Sequence, residues 1–386
     1  MRLEESATSV YRVLPELVLP RAGELAACRS LAELLAHAGY REIARDVEAA
    51  LGTPHVADFR SGEAARKAWY RVTAWNIERG THLDSQVEAL RTHPQLAGTD
   101  VLLITEADAG MARSGNRAVA ETLARELGMA QVFAPCYIAL GKGSGAERDV
   151  VGDNSLGLHG NAVLSRYPLR DVRVIALENG VDKMAHREKR IGRQAAVAAT
   201  VEFPGFSLDA VSVHLDAQST QRHRKEQMRA VLGAVRPAGP AILGGDWNTS
   251  TYDTSRALHA IVGFWRRVAR GVDHVIRNHY VRPERWFERG LFRLLEEHSF
   301  EYDQSNLPGE YTTYYDFGDP RIYRNLGEWV PQWCFKFIRW ALRNHQGRCP
   351  FKLDWFATRR LKVRNPAVVH GLALSDHDPI VIDIAP

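Results

Sequence analysis

The stretch Ala241-Ile-Leu-Gly-Gly-Asp246-Trp247-Asn248 constrains the chain more than any other. It reads as a buried apolar strand that stops abruptly and presents a carboxylate and a carboxamide two positions apart. Alternation in a strand puts positions i and i+2 on one side, so both side chains can face one ligand. The two glycines before the stop let the backbone come close to that ligand. Asp and Asn after Gly-Gly also suit an ordinary turn. What favours the strand reading is that other runs in this chain end in the same way.

From Tyr70 onward, short strands alternate with helices. Tyr70 to Trp75 is a strand leading into Asn76, and Ser85-x-x-Glu88 is a capping box opening a short helix. Val101 to Thr105 is a buried strand ending in Glu106, and Ser114 to Leu127 reads as a helix closed by Gly128. Gln131 to Ile138 is a strand, followed by a glycine-rich charged loop, and Asn161 to Leu164 begins another. Pro204-Gly205 joins two strands as a hairpin, and the second runs into His214-Leu215-Asp216. A polar, basic helix from Ser219 to Val235 precedes the Asp246 strand. Period-two patterning returns at Lys352-Leu-Asp354-Trp-Phe356 and ends with Ser375-Asp376-His377-Asp378-Pro379 before a last apolar run.

Asn76, Glu106, His214, Asp246, Asn248, Asp354, Asp376 and His377 thus follow, or sit within, strand-like runs. Each alone has a plainer role: Glu106 can end a strand at the surface, Asp354 can cap or pair, and Ser-Asp-His-Asp-Pro can be a polar turn. Their number favours one shared site. Hard oxygen donors with imidazoles and no thiolates suit Mg²⁺ or Mn²⁺. Such a cation neutralises phosphate oxygens and activates water, while histidines contact phosphate or protonate a leaving group.

Trp75-Asn76, Glu106, His214-Leu215, Gly245-Asp246-Trp247-Asn248, Leu353-Asp354-Trp355-Phe356 and Ser375-Asp376-His377-Asp378-Pro379 occur in the order seen in the endonuclease/exonuclease/phosphatase superfamily. The chain resembles that superfamily from about residue 70 to its C-terminus. The resemblance implies an α+β fold, a four-layer α/β/β/α sandwich of two packed mixed sheets flanked by helices. It implies a metal held by Asn76 and Glu106 with Asp376 completing or supporting the sphere. Asp246 would orient or deprotonate the attacking water, and Asn248 and His214 would hold phosphate oxygens. His377 would contact the phosphate or assist the leaving group, with Asp354 fixing its ring. His159, Asn161 and Arg193 fall where the superfamily often contacts substrate. Abasic-site endonucleases usually lack a histidine at the position of His214, which disfavours that role here.

The expected domains are a helical N-terminal extension over 1–68 and a catalytic domain over 69–386 carrying a helical, aromatic insert at about 262–350. The excess of 50 basic over 46 acidic residues is too small to imply a polyanionic partner by itself. The four cysteines are scattered, with no zinc spacing, and the chain shows no signal pattern and no membrane-length apolar run. A cytoplasmic protein is the expectation, and no protein partner is indicated.

Substrate class rests on the insert. Between Phe264 and Arg293 lie eight arginines against three acids, interleaved with Trp265, Tyr280, Trp286, Phe287 and Phe292. That mixture suits a nucleic-acid groove, although an amphipathic helix pair with its aromatics inward is the plainer and leading reading. Trp329, Trp333, Phe335, Phe337 and Trp340 with Lys336 and Arg339 allow contact with membrane lipid. The leading expectation is a phosphodiesterase acting on nucleic acid, ahead of a phospholipid, sphingomyelin or inositol phosphate hydrolase. A non-catalytic module on the same scaffold ranks last, because no metal or water-positioning residue is missing.

Overall fold

Strands buried on both faces need cover on both sides, and this chain supplies it in four layers. The computed structural model describes residues 10–62, 64–249, 257–318 and 332–386. The N-terminal part contains α1 (Leu31–Ala36), α2 (Ala38–Gly52) and β1 (His55–Asp58). There follow β2 (Tyr70–Arg79), α3 (Leu83–Thr92), β3 (Val101–Ala109), α4 (Val119–Leu127), β4 (Ala130–Ala139) and β5 (Leu158–Ser165). Next come β6 (Leu169–Ala176), β7 (Arg190–Gly192), β8 (Ala195–Phe203), β9 (Phe206–Ser212), α5 (Gln221–Ala234) and β10 (Ala241–Asp246). The remainder holds α6 (Ala257–Arg270), α7 (Arg289–Glu297), β11 (Thr313–Asp316), α8 (Gln332–Ala341) and β12 (Arg348–Phe351). The chain closes with β13 (Asp354–Arg359), β14 (Lys362–Val368) and β15 (Ile380–Ala385).

The larger sheet runs β1-β4-β5-β3-β2-β15-β14, with β7 also paired to β4, and the second runs β13-β10-β9-β8-β6. Each is mixed: β2 lies parallel to β3, and β10 parallel to β9, among antiparallel neighbours. Val72, Leu103 and Val163 of the larger sheet meet Val197, Ala210, Ile242 and Phe356 of the other, so both inner faces form one apolar layer. Outside the larger sheet, Leu34, Ile43, Val47, Leu90 and Leu123 of α1 to α4 cover Leu102 and Ile104. Outside the second, Met228 and Val231 of α5 and Leu291 and Leu295 of α7 cover Val211 and Leu243. The fold is therefore the expected α+β sandwich of two mixed sheets flanked by helices.

Local differences from the sequence reading have physical reasons. Ser85 does not cap a helix: α3 begins at Leu83, whose spacing with Gln86, Val87 and Leu90 builds the buried stripe, and Ser85 faces solvent. The helix expected from Ser114 begins only at Val119, because Gly115 in the left-handed region (φ 68°) closes a separate turn first. Within 1–68, His55–Asp58 is an edge strand paired antiparallel with β4. Beyond β10, a small core of Val275, Ile276, Tyr280, Phe317, Phe335 and Leu342 ties α8 to the β11–β12 pair. Trp329 lies outside the described residues. No helix among the described residues is long and apolar enough to cross a membrane.

Candidate active site

Four strands bring the site together. Asp246 ends β10 directly opposite Asp354, the first residue of β13. Asn76 lies opposite Thr105, just before the pairing of β2 with β3 shifts register. The pairing of β3 with β5 shifts between Ile104 and Ala107, so Glu106 falls in a bulge. Bulges re-aim side chains, and here Glu78 and Glu106 take left-handed backbone conformations (φ 45° and 57°). The glycines before Asp246 are required by space. A Cβ on Gly244 would meet Leu103 Cδ1 at 2.7 Å, and one on Gly245 (φ 133°) would meet the Val213 carbonyl oxygen at 2.4 Å.

Asp246 is the hub. Its Oδ2 accepts a hydrogen bond from Asn76 Nδ2 at 3.1 Å, and its Oδ1 accepts the Asn248 amide at 2.9 Å. The same Oδ2 lies 3.6 Å from His214 Nε2 and 3.7 Å from His377 Nε2. His214 Nε2 in turn stands 4.0 Å from Glu106 Oε1. The other ring nitrogen of His377, Nδ1, is 2.7 Å from Asp354 Oδ2, and Thr312 Oγ1 donates to that carboxylate oxygen at 2.6 Å. Trp75 Nε1 donates to the His377 carbonyl at 2.9 Å, and Ser375 Oγ to the Asn76 carbonyl at 2.6 Å, which joins the loop before β15 to β2. Asp376 follows on that loop, and its amide donates to Glu78 Oε2 at 3.1 Å.

Charge is unevenly shared among these groups. Burial opposes ionisation of Glu106, but Arg79 and then His214, His159 and His377 outweigh it, holding its carboxyl below the usual range. Burial pushes Asp246 up to about 6, with Asp354 adding to the rise against the pull of His377 and His214. Glu78 is pushed up to about 7 by burial and by the negative charge of Asp376 and Glu106. Asp376 is raised as well, by burial first and then by Glu106. His377 lies well above the ordinary imidazole value: burial opposes its charge, but the Asp354 and Asp246 carboxylates prevail.

All eight residues singled out at strand ends lie in this one region. The three further residues differ among themselves. Asn161 Oδ1 accepts the Glu106 amide at 3.3 Å while its Nδ2 donates to the Ala195 carbonyl at 2.7 Å, so it braces the bulge from below. His159 is buried with Nδ1 2.8 Å from Asp108 Oδ1. Arg193 is exposed, and among the described residues no hydrogen bond or ion pair joins its side chain to the cluster. The sequence reading missed Glu78, Asp108 and Thr312. Glu78 and Asp108 stand two residues beyond Asn76 and Glu106, so the i, i+2 argument applied to Asp246 and Asn248 would have found them. Asp108 is held by Arg113 Nε at 2.7 Å and Nη2 at 2.9 Å. Thr312 lies within the insert and carries no local signal.

Residues 73–377 match the Endonuclease/Exonuclease/phosphatase family, a span that runs from within β2 to His377. The chain belongs to the endonuclease/exonuclease/phosphatase family. Members of this family are phosphoester hydrolases, typically dependent on a divalent metal. No curated protein matches the chain. Among solved structures, it resembles an endonuclease/exonuclease/phosphatase from Beutenbergia cavernae DSM 12333, at 18% identity and a TM-score of 0.50 over 82% of this chain and 72% of that one. A family protein from Leptotrichia buccalis C-1013-b is 13% identical, with a TM-score of 0.47 over 82% of this chain and 100% of that one. The 3'-5' exonuclease of Neisseria meningitidis is 17% identical, with a TM-score of 0.43 over 81% and 98%.

Proposed function

We propose that this member of the endonuclease/exonuclease/phosphatase family is a Mg²⁺- or Mn²⁺-dependent phosphodiester hydrolase in which water attacks phosphorus in line with the leaving group. The observation that carries the reading is the convergence on Asp246 of two imidazoles from different segments, with Glu106 within 4.0 Å of one of them. A hard dication fits the donors. Burial first, and then the negative charge of Asp376 and Glu106, push Glu78 up to about 7, and a bound cation would relieve that repulsion. Asp246, Asp354 and His377 also offer atoms within 4.8 Å of one another, but His377 and Asp354 are already bonded to each other. We therefore assign the metal to Glu106, Asp376 and Asn76, with Glu78 adjoining. When bound, it supplies positive charge to the phosphate oxygens.

The remaining roles fall to the chain's own side chains. Asp246, oriented by Asn76 and the Asn248 amide, positions the attacking water and takes its proton. His377 holds a proton on Nδ1 toward Asp354 and presents Nε2 to the phosphate or the leaving oxygen. Thr312 fixes Asp354 for that task. His214 and Asn248 contact phosphate oxygens, and buried His159 and exposed Arg193 supply further substrate contacts. We assign 69–386 to the catalytic domain, with 1–68 as an extension packed on it and about 262–350 as the insert that sets specificity.

Exposed Arg277 and Arg289 in that insert support a nucleic-acid substrate. A lipid phosphodiester is the second reading, favoured by Trp333 and Trp340, each more than half exposed, which would bring the protein to a bilayer without touching the scissile group. The test is a panel of single-stranded and duplex DNA, sphingomyelin and inositol polyphosphates, assayed with and without Mg²⁺. Metal-dependent cleavage of one or more substrates is the expected result. Failure on the whole panel, with the protein folded and metal present, would refute the reading.

A further inference from the structure

Water-facing tryptophan is uncommon on a soluble surface, and here it is concentrated on two adjoining helices of the insert. Trp333, Phe337 and Trp340 recur at i, i+4 and i+7 on α8, and are 53%, 43% and 54% exposed. Trp265 of α6, 45% exposed, packs edge-on against Phe337 with ring centroids 5.7 Å apart. Trp333 packs edge-on against the same ring at 5.9 Å. The opposite side of α8 is spoken for: Phe335 is buried, and Ile338 packs with it in the small core beside Phe317 and Tyr315.

The charge around this face has one sign. The segments 257–270 and 332–348 contain no Asp or Glu, while Arg266, Arg270, Lys336, Arg339 and Arg343 are exposed. Arg343 lies over the Trp340 ring at 4.8 Å. Nearby Asp273 is already engaged by His345. Apolar rings standing out of a basic collar match the layering of a bilayer with anionic headgroups: rings reach the acyl boundary and cations stay among the phosphates. A single-stranded nucleic acid would need open ring faces in a groove. Here Trp265 and Trp333 meet Phe337 edge to face, and Arg343 covers the Trp340 ring.

We propose that the α6–α8 face docks the protein on anionic phospholipid bilayers. Tyr315 of β11 sits in the same small core, and Thr313 Oγ1 at the start of β11 donates to the Asp376 carbonyl at 2.5 Å, so the docking helix and the catalytic rim share one support. The docking is independent of which phosphodiester is cleaved.

The test is co-sedimentation of the full chain with vesicles of phosphatidylcholine alone and of phosphatidylcholine mixed with phosphatidylserine. Binding to the mixed vesicles only is expected. Trp333→Ala with Trp340→Ala should weaken it about tenfold or more, since both rings supply the inserted area. Lys336→Gln and Arg339→Gln should each weaken it roughly fivefold. Hydrolysis of soluble bis-p-nitrophenyl phosphate should be unchanged in all of them, and retention of vesicle binding by a wild-type protein that cleaves nothing would support the docking while removing the catalytic reading. Absence of binding to the mixed vesicles would overturn the proposal. So would equal binding to neutral vesicles, or tryptophan variants that lose single-stranded DNA binding while keeping that of vesicles.

Discussion

At the scale of single residues, the site is a set of carboxylates whose proton affinities are driven apart by their neighbours. Glu106 is held low beside Arg79 while Asp246, which shares His214 Nε2 with it as a neighbour, is pushed up to about 6 by burial. The first suits a cation ligand and the second a proton acceptor. Asp246→Asn should therefore lower kcat/KM by roughly 10²- to 10⁴-fold, with an unchanged circular dichroism spectrum, and near-normal activity in that variant would remove Asp246 from the role. Asp354 raises the pKa of His377, so Asp354→Asn should move the imidazole titration to lower pH, as followed by NMR of the His377 ring. A curve that does not move would mean the pairing has no electrostatic weight. These residues were legible because each stands next to an apolar run. Thr312 was not, since a threonine in a long connection announces nothing until the fold brings it against Asp354.

At the scale of elements, strand ends hold the proposed catalytic groups and glycine brings them close. Gly245 sits at φ 133° with no room for a Cβ beneath the Val213 carbonyl, and β10 runs between β9 and β13. Gly245→Ala should destabilise the protein by roughly 2 kcal/mol or more in a denaturant titration. A loss below a few tenths would show that the strands can separate at no cost. The strands themselves, and the Pro204-Gly205 hairpin between β8 and β9, could be read from alternation and turn chemistry. Helix starts could not be read so well. Ser85 and Glu88 match a capping pattern, but the buried stripe beginning at Leu83 decides where α3 opens. The pairing of β1 with β4 was hidden because four residues, His55–Asp58, are too few to show a period.

At the scale of the whole molecule, two sheets meeting face to face converge on a single charged edge, and the proposed metal site there would couple stability to pH and metal. Glu78, at about 7 in the folded protein, lies above its ordinary value. A group raised in this way adds stability at low pH, and that contribution is lost as pH rises through about 7. The metal-stripped protein should accordingly melt at a lower temperature at pH 8 than at pH 6. Mg²⁺ should restore more at pH 8, because it competes with fewer protons. Equal Mg²⁺ shifts at both pH values in differential scanning calorimetry would contradict this. The layered architecture was accessible only through the family resemblance that the order of motifs carries. The partner of the insert was not, because the same arginines and aromatics satisfy both a helix pair and a binding face until exposure separates buried Tyr280 and Phe292 from exposed Trp265 and Trp340. The most direct test of the central claim is hydrolysis of bis-p-nitrophenyl phosphate by the full chain after stripping with EDTA, with Mg²⁺ or Mn²⁺ then returned, beside Glu106→Gln. The expected result is no turnover when stripped, recovery on adding metal, and little recovery in the variant; turnover that persists without metal, or full recovery in Glu106→Gln, would contradict the account.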